Sequence, residues 1–241
     1  MSQKSPDISV VILCYRSENL VPIFIAQMEE ALERRGLDYE LVLVGNYLAS
    51  MEKTDHTPEI IRKLAKQDPH IKVVVKEKRG MMGWDMRTGL EAATADVVSV
   101  IDGDGQMPAA DIVRVYDRLK SGNYDIAKTY RIVRYDGSLR FFISKIYNFL
   151  LKTLFPKVTV RDVNSKPKIF TREALQKLQL SSDDWFIDAE IIIRASYLGM
   201  SIGEIPTDFY LNKYRASFVN TSTIFEFIKN LLRYRIKMFL K

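Results

Sequence analysis

Asp96-Val-Val-Ser-Val-Ile101-Asp102-Gly103-Asp104-Gly105-Gln106 runs from a β-branched apolar segment straight into two carboxylates two residues apart. A short apolar run of this kind predicts a buried strand. In extended chain, residues two apart project to the same side, so Asp102 and Asp104 share one, and Gly103 lets a ligand approach the backbone closely. Hard oxygen ligands open to solvent suit Mg²⁺ or Mn²⁺ shared with a diphosphate. An isolated Asp-x-Asp is more often a turn that closes a strand. Here it stands where α/β sheets bind their ligands, which favours the metal reading. A metal at that place acts as a Lewis acid on a departing diphosphate.

Outward from this stretch, β-type and helix-type patterns alternate. Ile8 to Leu13 is a continuous apolar run, followed by the polar turn Tyr15-Arg-Ser-Glu-Asn19 and by apolar residues at helical spacing from Leu20 to Arg35. Glu40 to Val44 predicts a second strand, Thr57-Pro-Glu opens a second helix with Pro near its first position, and Ile71 to Val75 predicts a third strand. Gly80 to Ala93 reads as helix and leads into the Asp96 to Ile101 strand. Four strands separated by helices imply a mostly parallel α/β sheet with ligands at the strands' carboxyl ends. Further on, the pattern predicts helix to about Lys120, strand over 125–130, helix over 138–155, strand over 168–171, helices over 172–178 and 188–198, and strand over 201–206. No internal repeat and no long linker divides this part of the chain.

The 241 residues are 47% hydrophobic and 27% charged, with 11 Gly and 8 Pro, which excludes collagenous, low-complexity and wholly disordered readings. A chain of this size buries roughly 70% of its unfolded surface, so neither metal nor disulfide staples are needed for stability. Cys14 is the single cysteine, which rules out an internal disulfide and fits a reducing compartment. The polar stretch Met1 to Asp7 does not have the pattern of a signal peptide.

The net charge of +6 is unevenly spread: residues 128–161 carry a net +7 and residues 213–241 a net +6, so the rest is net negative. Segregation of this kind points to a local anionic partner. Nucleic acid is not the expected one, because charge alone supports it. From Thr223 to Lys241, Ile224, Phe227, Ile228, Leu231, Leu232, Met238 and Phe239 fall on one helical face, with Lys229, Arg233 and Lys237 opposite. Internal cations at about 2.5 to 3.5 kcal/mol each make spanning a bilayer unfavourable, so this helix is expected to lie on an anionic membrane surface. A helix packed on the protein's own core is the competing reading.

The chain resembles the metal-dependent, inverting family 2 glycosyltransferases of GT-A fold, and among them the polyprenyl-phosphate (dolichyl-phosphate-type) sugar transferases. The resemblance spans about Ile8 to Ser217. It is carried by Val10 to Tyr15 with Glu18-Asn-Leu20, and by Arg79-Gly80 with Arg87-Thr-Gly-Leu-Glu-Ala-Ala-Thr-Ala-Asp96. Asp102-Gly-Asp-Gly-Gln-Met-Pro108 carries it most specifically. Asp162-Val-Asn-Ser-Lys-Pro-Lys-Ile-Phe-Thr-Arg172, Trp185-Phe-Ile-Asp188-Ala-Glu190 and Glu204-Ile-Pro206 complete it.

The resemblance implies a GT-A, Rossmann-like domain over 1–218, followed by the basic amphipathic helix over 219–241. It implies a donor site of Leu13, Tyr15, Glu18, Asn46, Gly80, Arg87, Asp102 and Gln106, with Asp102 and Asp104 on the metal. Asp104 is the principal ligand, and Arg131 and Arg215 join Arg87 as candidates to neutralise phosphates. The partners implied are a nucleoside-diphosphate sugar, with UDP favoured over GDP, and a polyprenyl phosphate at the cytoplasmic face of a membrane.

Two positions leave alternatives open. The second strand, which ends in an acidic pair in the family, ends here in Val44-Gly45-Asn46-Tyr47. Asn46 offers both donor and acceptor to a uracil or guanine edge. A non-catalytic, transferase-like binding protein is the rival there, and retention of both Asp102 and Asp104 weighs against it. Asp188 is the base of choice if the acceptor is a glycan hydroxyl, within a partly apolar stretch that raises its pKa. A lipid phosphate, largely ionised already, needs no base and leaves Asp188 a positioning role or that of a helix N-terminal acid. Two other enzyme classes lack their loops: Leu13 to Leu20 contains no glycine, against both a nucleotidyltransferase and a Gly-x-Gly-x-x-Gly dehydrogenase. Trp84 and Trp185 suit stacking or packing equally, and His56 and His70 read as surface residues.

Overall fold

A computed structural model describes residues 5–51, 54–134, 138–211 and 228–236. The elements follow the alternation of the sequence: β1 (Ile8–Leu13), α1 (Leu20–Arg35), β2 (Tyr39–Val44), a 3-10 turn (Ala49–Met51), α2 (Thr57–Ala65), β3 (Ile71–Val74), α3 (Met82–Ala92) and β4 (Val97–Asp102). Then come α4 (Asp111–Ser121), β5 (Ile126–Arg134), α5 (Ser138–Leu154), β6 (Lys168–Thr171), α6 (Arg172–Leu178), α7 (Ile187–Tyr197) and β7 (Ile202–Phe209).

The seven strands form one sheet in the order β3-β2-β1-β4-β6-β5-β7. β3, β2, β1 and β4 are mutually parallel, β6 is antiparallel to both its neighbours, and β5 and β7 pair in parallel. This is the mostly parallel GT-A sheet expected from the sequence.

Register decides where the functional end lies. Leu13 pairs with Val44 on one side and Asp102 on the other, so β1, β2 and β4 finish level. Because β6 runs the opposite way, its first residue, Lys168, pairs with Val100, two residues before the last residue of β4, Asp102. The segment entering an antiparallel strand therefore meets the carboxyl ends of parallel ones.

The central strands bury both faces, as their uninterrupted apolar runs require. Alternate residues serve two cores. Val11, Leu13, Val42, Val44, Val98 and Val100 pack beneath α3, α5, α6 and α7, whereas Val10, Ile12, Leu41, Leu43 and Ile101 pack beneath α1, α2 and α4. Cys14 is wholly buried, and burial pushes its thiol up to about 12, which keeps it protonated and unreactive.

In the helical segment 228–236 the apolar side chains divide between the core and the surface. Leu231 is buried in the same core as Phe155 and Phe186, the Tyr234 ring packs at a tilt with its centroid 5.1 Å from that of Phe186, and the Asn230 amide donates to Asp184 at 2.8 Å. Leu232 and Ile236 stay about half exposed. A single lipid-facing surface holding both Leu231 and Leu232 is thus split, because one of the two faces is claimed by the protein's own apolar surface. The rest of the 219–241 helix, and Arg215, lie outside the described residues. Among the described residues no helix is long and apolar enough to cross a membrane.

Candidate functional site: an acidic loop and two buried lysines

Asp102 closes β4, and the chain turns at once. The Gly103 amide donates to the Leu13 carbonyl at 2.9 Å, and a Cβ on Gly103 would come within 2.9 Å of Ile12 and 3.2 Å of that carbonyl. Only glycine lets the loop cross β1 this closely. Gly105 lies in the left-handed region, with φ +69, and Asp104 Oδ1 accepts the Gln106 amide at 3.1 Å. Gln106 is held in turn by Tyr210, its side-chain amide on the Tyr210 carbonyl at 3.0 Å and its own carbonyl accepting from the Tyr210 amide at 2.8 Å. It fastens the acidic loop to the chain beyond β7.

The turn after β1 is equally fixed. Thr57 Oγ1 accepts the amides of Ser17 and Glu18 at 3.2 and 3.1 Å and donates to Asp55, so the start of α2 clamps the turn. Glu18 receives the His56 amide, and Lys78 Nζ sits 4.1 Å above the Tyr15 ring. His56 and His70 are exposed, as expected.

Asn46 does not present its amide to a base edge. It is 1% exposed, donates to Asp85 Oδ1 at 2.9 Å and to Thr88 Oγ1 at 3.0 Å, and accepts the Lys76 amide at 2.8 Å. Both donors are used on α3. Asp85 also pairs with buried Lys78. Burial raises the Asp85 pKa, with Lys78 and Asn46 offsetting part of the rise. Next to this group, Lys76, Glu77, Arg79 and Trp84 line a pocket of 330 Å³.

Gly80 and Arg87 meet the loop before α7 instead of the acidic loop. A Cβ on Gly80 would lie 2.5 Å from the Asp183 carbonyl, and Arg87 pairs with Asp183 at 2.5 Å. Arg131 grips Asp162 through Nε and Nη2 at 2.6 and 2.9 Å.

The centre of the site is a chain of alternating charges. Lys166 Nζ lies 3.2 Å from Asp102 Oδ2 and 3.1 Å from Asp188 Oδ2, and Lys168 Nζ lies 2.5 Å from Asp188 Oδ1. Lys166, Lys168 and Asp188 are buried, while the Asp102 side chain is 28% exposed and forms the open end. Burial works against the charge on Asp188, but Lys166 and Lys168 outweigh it and hold the carboxyl below its ordinary range. Burial likewise opposes the Lys166 charge, and Asp102 and Asp188 more than restore it. Lys168 is pulled down to about 8, chiefly by burial.

The expectation that an apolar setting raises the Asp188 pKa is therefore corrected: both carboxylate oxygens face lysines, and the shift is downward. Sequence reasoning left Lys166 and Lys168 without a role. Their signal was two lysines two residues apart at the start of an apolar strand, the same spacing that singles out Asp102 and Asp104.

The site fits a small, hard dication. Among the described residues no group of three or more His, Cys, Asp or Glu converges. Asp102 and Asp104 are the carboxylates that could hold such an ion, with its remaining positions open to water and diphosphate oxygens, as Mg²⁺ and Mn²⁺ prefer.

Known proteins of this architecture include glucosyl-3-phosphoglycerate synthase from Mycobacterium tuberculosis, crystallised with uridine diphosphate. It superposes with a TM-score of 0.71 over 95% of this chain and 80% of that one, at 19% identity. The same enzyme has been crystallised with Mn²⁺ as well. In sequence, residues 9–179 match the model of glycosyl transferase family 2, and the chain belongs to that family.

Among curated relatives, the dolichol-phosphate mannosyltransferase of Pyrococcus furiosus is 28% identical over 94% of this chain and 63% of its own length. Glycosyltransferase AglD of Haloferax volcanii is 29% identical over 84% of this chain and 33% of its own. An undecaprenyl-phosphate 4-deoxy-4-formamido-L-arabinose transferase of Pseudomonas fluorescens is 29% identical over 60% and 41%. The chain thus spans between a third and two thirds of these curated relatives.

Proposed function

We propose that this chain is a sugar-transferring catalytic domain that moves a glycosyl group from a nucleoside-diphosphate sugar to a polyprenyl phosphate with inversion at the anomeric carbon. The observation that carries the reading is the Asp102-Gly-Asp104 loop, held open at the carboxyl end of β4 beside buried Lys166. The names of the curated relatives support the lipid phosphate acceptor, and the neighbour that binds uridine diphosphate supports UDP over GDP as the donor nucleotide.

In this reading an acceptor phosphate oxygen attacks the anomeric carbon as the bond from that carbon to the diphosphate oxygen breaks, and the electron pair leaves with the diphosphate. Mg²⁺ or Mn²⁺ on Asp102 and Asp104 would supply Lewis-acid stabilisation of that leaving group. The chain's own residues position and neutralise. The loop glycines bring backbone close to the donor, Tyr15 and Glu18 border the nucleotide pocket, and Asn46 supports it from behind by fixing Asp85.

No general base is required, because a phosphate monoester is mostly dianionic above its second pKa near 6. Asp188 is not placed to be one. Its oxygens are engaged by Lys166 and Lys168, and its lowered pKa makes it a poor proton acceptor, which argues against the glycan-hydroxyl reading.

The membrane side of the proposal rests on exposed Ile146 and Phe149 of α5 and on Leu232 and Ile236, flanked by Lys145, Lys152, Lys229 and Arg233. Apolar side chains among cations suit peripheral binding to an anionic cytoplasmic leaflet. The 219–241 segment would add to that surface.

Calorimetric titration with UDP- and GDP-sugars, with and without Mn²⁺, tests the donor site. Metal-dependent binding of one nucleotide, lost in Asp104→Ala, is expected; no binding of either nucleotide overturns the transferase reading in favour of a non-catalytic binding protein.

A further inference from the structure

The open carboxylate of the acidic loop already has a cation. Lys166 approaches Asp102 Oδ2 at 3.2 Å from inside the protein, and its ammonium is anchored behind by Asp188 at 3.1 Å. Asp188 is itself held by Lys168, so the four groups form a charge-balanced row, Lys168 to Asp188 to Lys166 to Asp102. Three of the four are buried, and Lys166 is 2% exposed. Its withdrawal into solvent would leave the Asp188 carboxylate buried with one lysine, a costly arrangement. The ammonium is therefore a fixed part of the site.

A dication placed on Asp102 meets a carboxylate whose charge is already balanced, with a like charge only a few ångström behind it. Both work against metal binding while no other anion is present. A nucleoside diphosphate changes this by adding negative charge on the solvent side of the loop.

We propose that Lys166 competes with the divalent cation for Asp102, so that metal binds weakly to the donor-free site and firmly only together with the nucleoside diphosphate. The inference rests on the donor-site reading above and adds a residue that sets the order and affinity of loading. Lys166 acts through Asp102 and is a positioning residue. The same design keeps the site from retaining metal between turnovers.

The test is a Mn²⁺ titration followed by the electron paramagnetic resonance signal of free Mn²⁺, with and without UDP or GDP, on the wild-type chain and on Lys166→Met. Wild type is expected to bind Mn²⁺ weakly alone and at least about tenfold more tightly with the nucleotide. Lys166→Met is expected to raise nucleotide-free affinity by roughly 10- to 100-fold, the order expected for removing one unit charge a few ångström from the ion near a protein surface. Lys166→Arg is expected to keep the wild-type pattern.

Because Lys166→Met uncovers a buried carboxylate, Lys166→Met with Asp188→Asn is measured beside it and is expected to show the same gain if the single variant does not fold. In an Asp102→Asn background, Lys166→Met is expected to give a much smaller gain, the direct repulsion alone, and the difference measures the pair. Unchanged nucleotide-free affinity in the folded Lys166→Met variants, or a gain undiminished without Asp102, overturns the inference while wild-type binding with nucleotide leaves the donor site standing. Absence of Mn²⁺ binding to every protein, with or without nucleotide, overturns both.

Discussion

Arg131 and Asp162 form a two-pronged ion pair, Nε to Oδ2 at 2.6 Å and Nη2 to Oδ1 at 2.9 Å, with both side chains about nine-tenths buried. The sequence pointed to Arg131 as a phosphate ligand, yet its fork is committed to a carboxylate of its own chain, while its plane lies 5.1 Å from the Phe209 ring. The pair joins β5 to the segment that leads to Lys166. Removing one partner strands the other: Arg131→Met should cost about 3 to 5 kcal/mol in urea unfolding.

The same pair sets an acid limit. Burial would raise the Asp162 pKa, but Arg131 and Lys128 overcome it and hold the carboxyl far below its ordinary 3.8. Its stabilising effect is complete above that value and is lost as pH falls further, since the unfolded chain takes up the proton first. Asp162→Asn should therefore flatten the loss of stability below pH ~4 in circular-dichroism melts; a slope equal to that of wild type removes Asp162 from the account.

Asn46 is expected to act on stability as much as on the ligand. Asn46→Ala leaves buried Asp85 and Thr88 each short of a partner and should cost about 1 to 3 kcal/mol. Asn46→Asp, which restores an acid at the end of β2, places a second carboxylate beside one whose pKa burial already raises. Its stability relative to wild type should fall as pH rises from 5 to 8, because the folded state then holds a proton the unfolded state has given up. A pH-independent difference in urea midpoints would contradict this.

α3 lies against the sheet with almost no space. A Cβ on Gly89 would stand 2.4 Å from Val11 Cγ1 and 2.6 Å from Val44 Cγ2. The gain in helix propensity from Gly89→Ala is smaller than the overpacking it forces, so a net loss of about 1 to 3 kcal/mol is expected in thermal or urea unfolding.

The exposed apolar side chains of α5 give the membrane proposal its own check. Phe149 and Ile146 are 69% and 59% exposed, so replacing both with Ser should leave the melting temperature unchanged. Partition onto phosphatidylglycerol-containing vesicles should fall by roughly tenfold or more, as expected for the lost burial of two large apolar groups. Equal partition in sedimentation would locate the contact elsewhere.

Much of the architecture could be read from residue order. Largely apolar, β-branched-rich runs at Ile8 to Leu13 and Val97 to Ile101 suit strands covered on both faces, and helical spacing between them fits crossovers. The acidic loop was equally plain, because its spacing, glycines and position at a strand end are local properties.

What residue order does not carry is the partner of each charge. Asn46 and Asp85 are 39 residues apart, Arg131 and Asp162 are 31 apart, and Lys166 and Asp102 are 64 apart. Each pair is assembled by tertiary structure, the last by the reversed direction of β6, which turns its entering lysines toward the ends of the parallel strands. Local chemistry names the groups able to hold a phosphate, a base or a proton. Which of them the folded chain keeps for itself is an electrostatic outcome of burial, since a charge removed from water must find its counter-charge in whatever element the topology brings beside it.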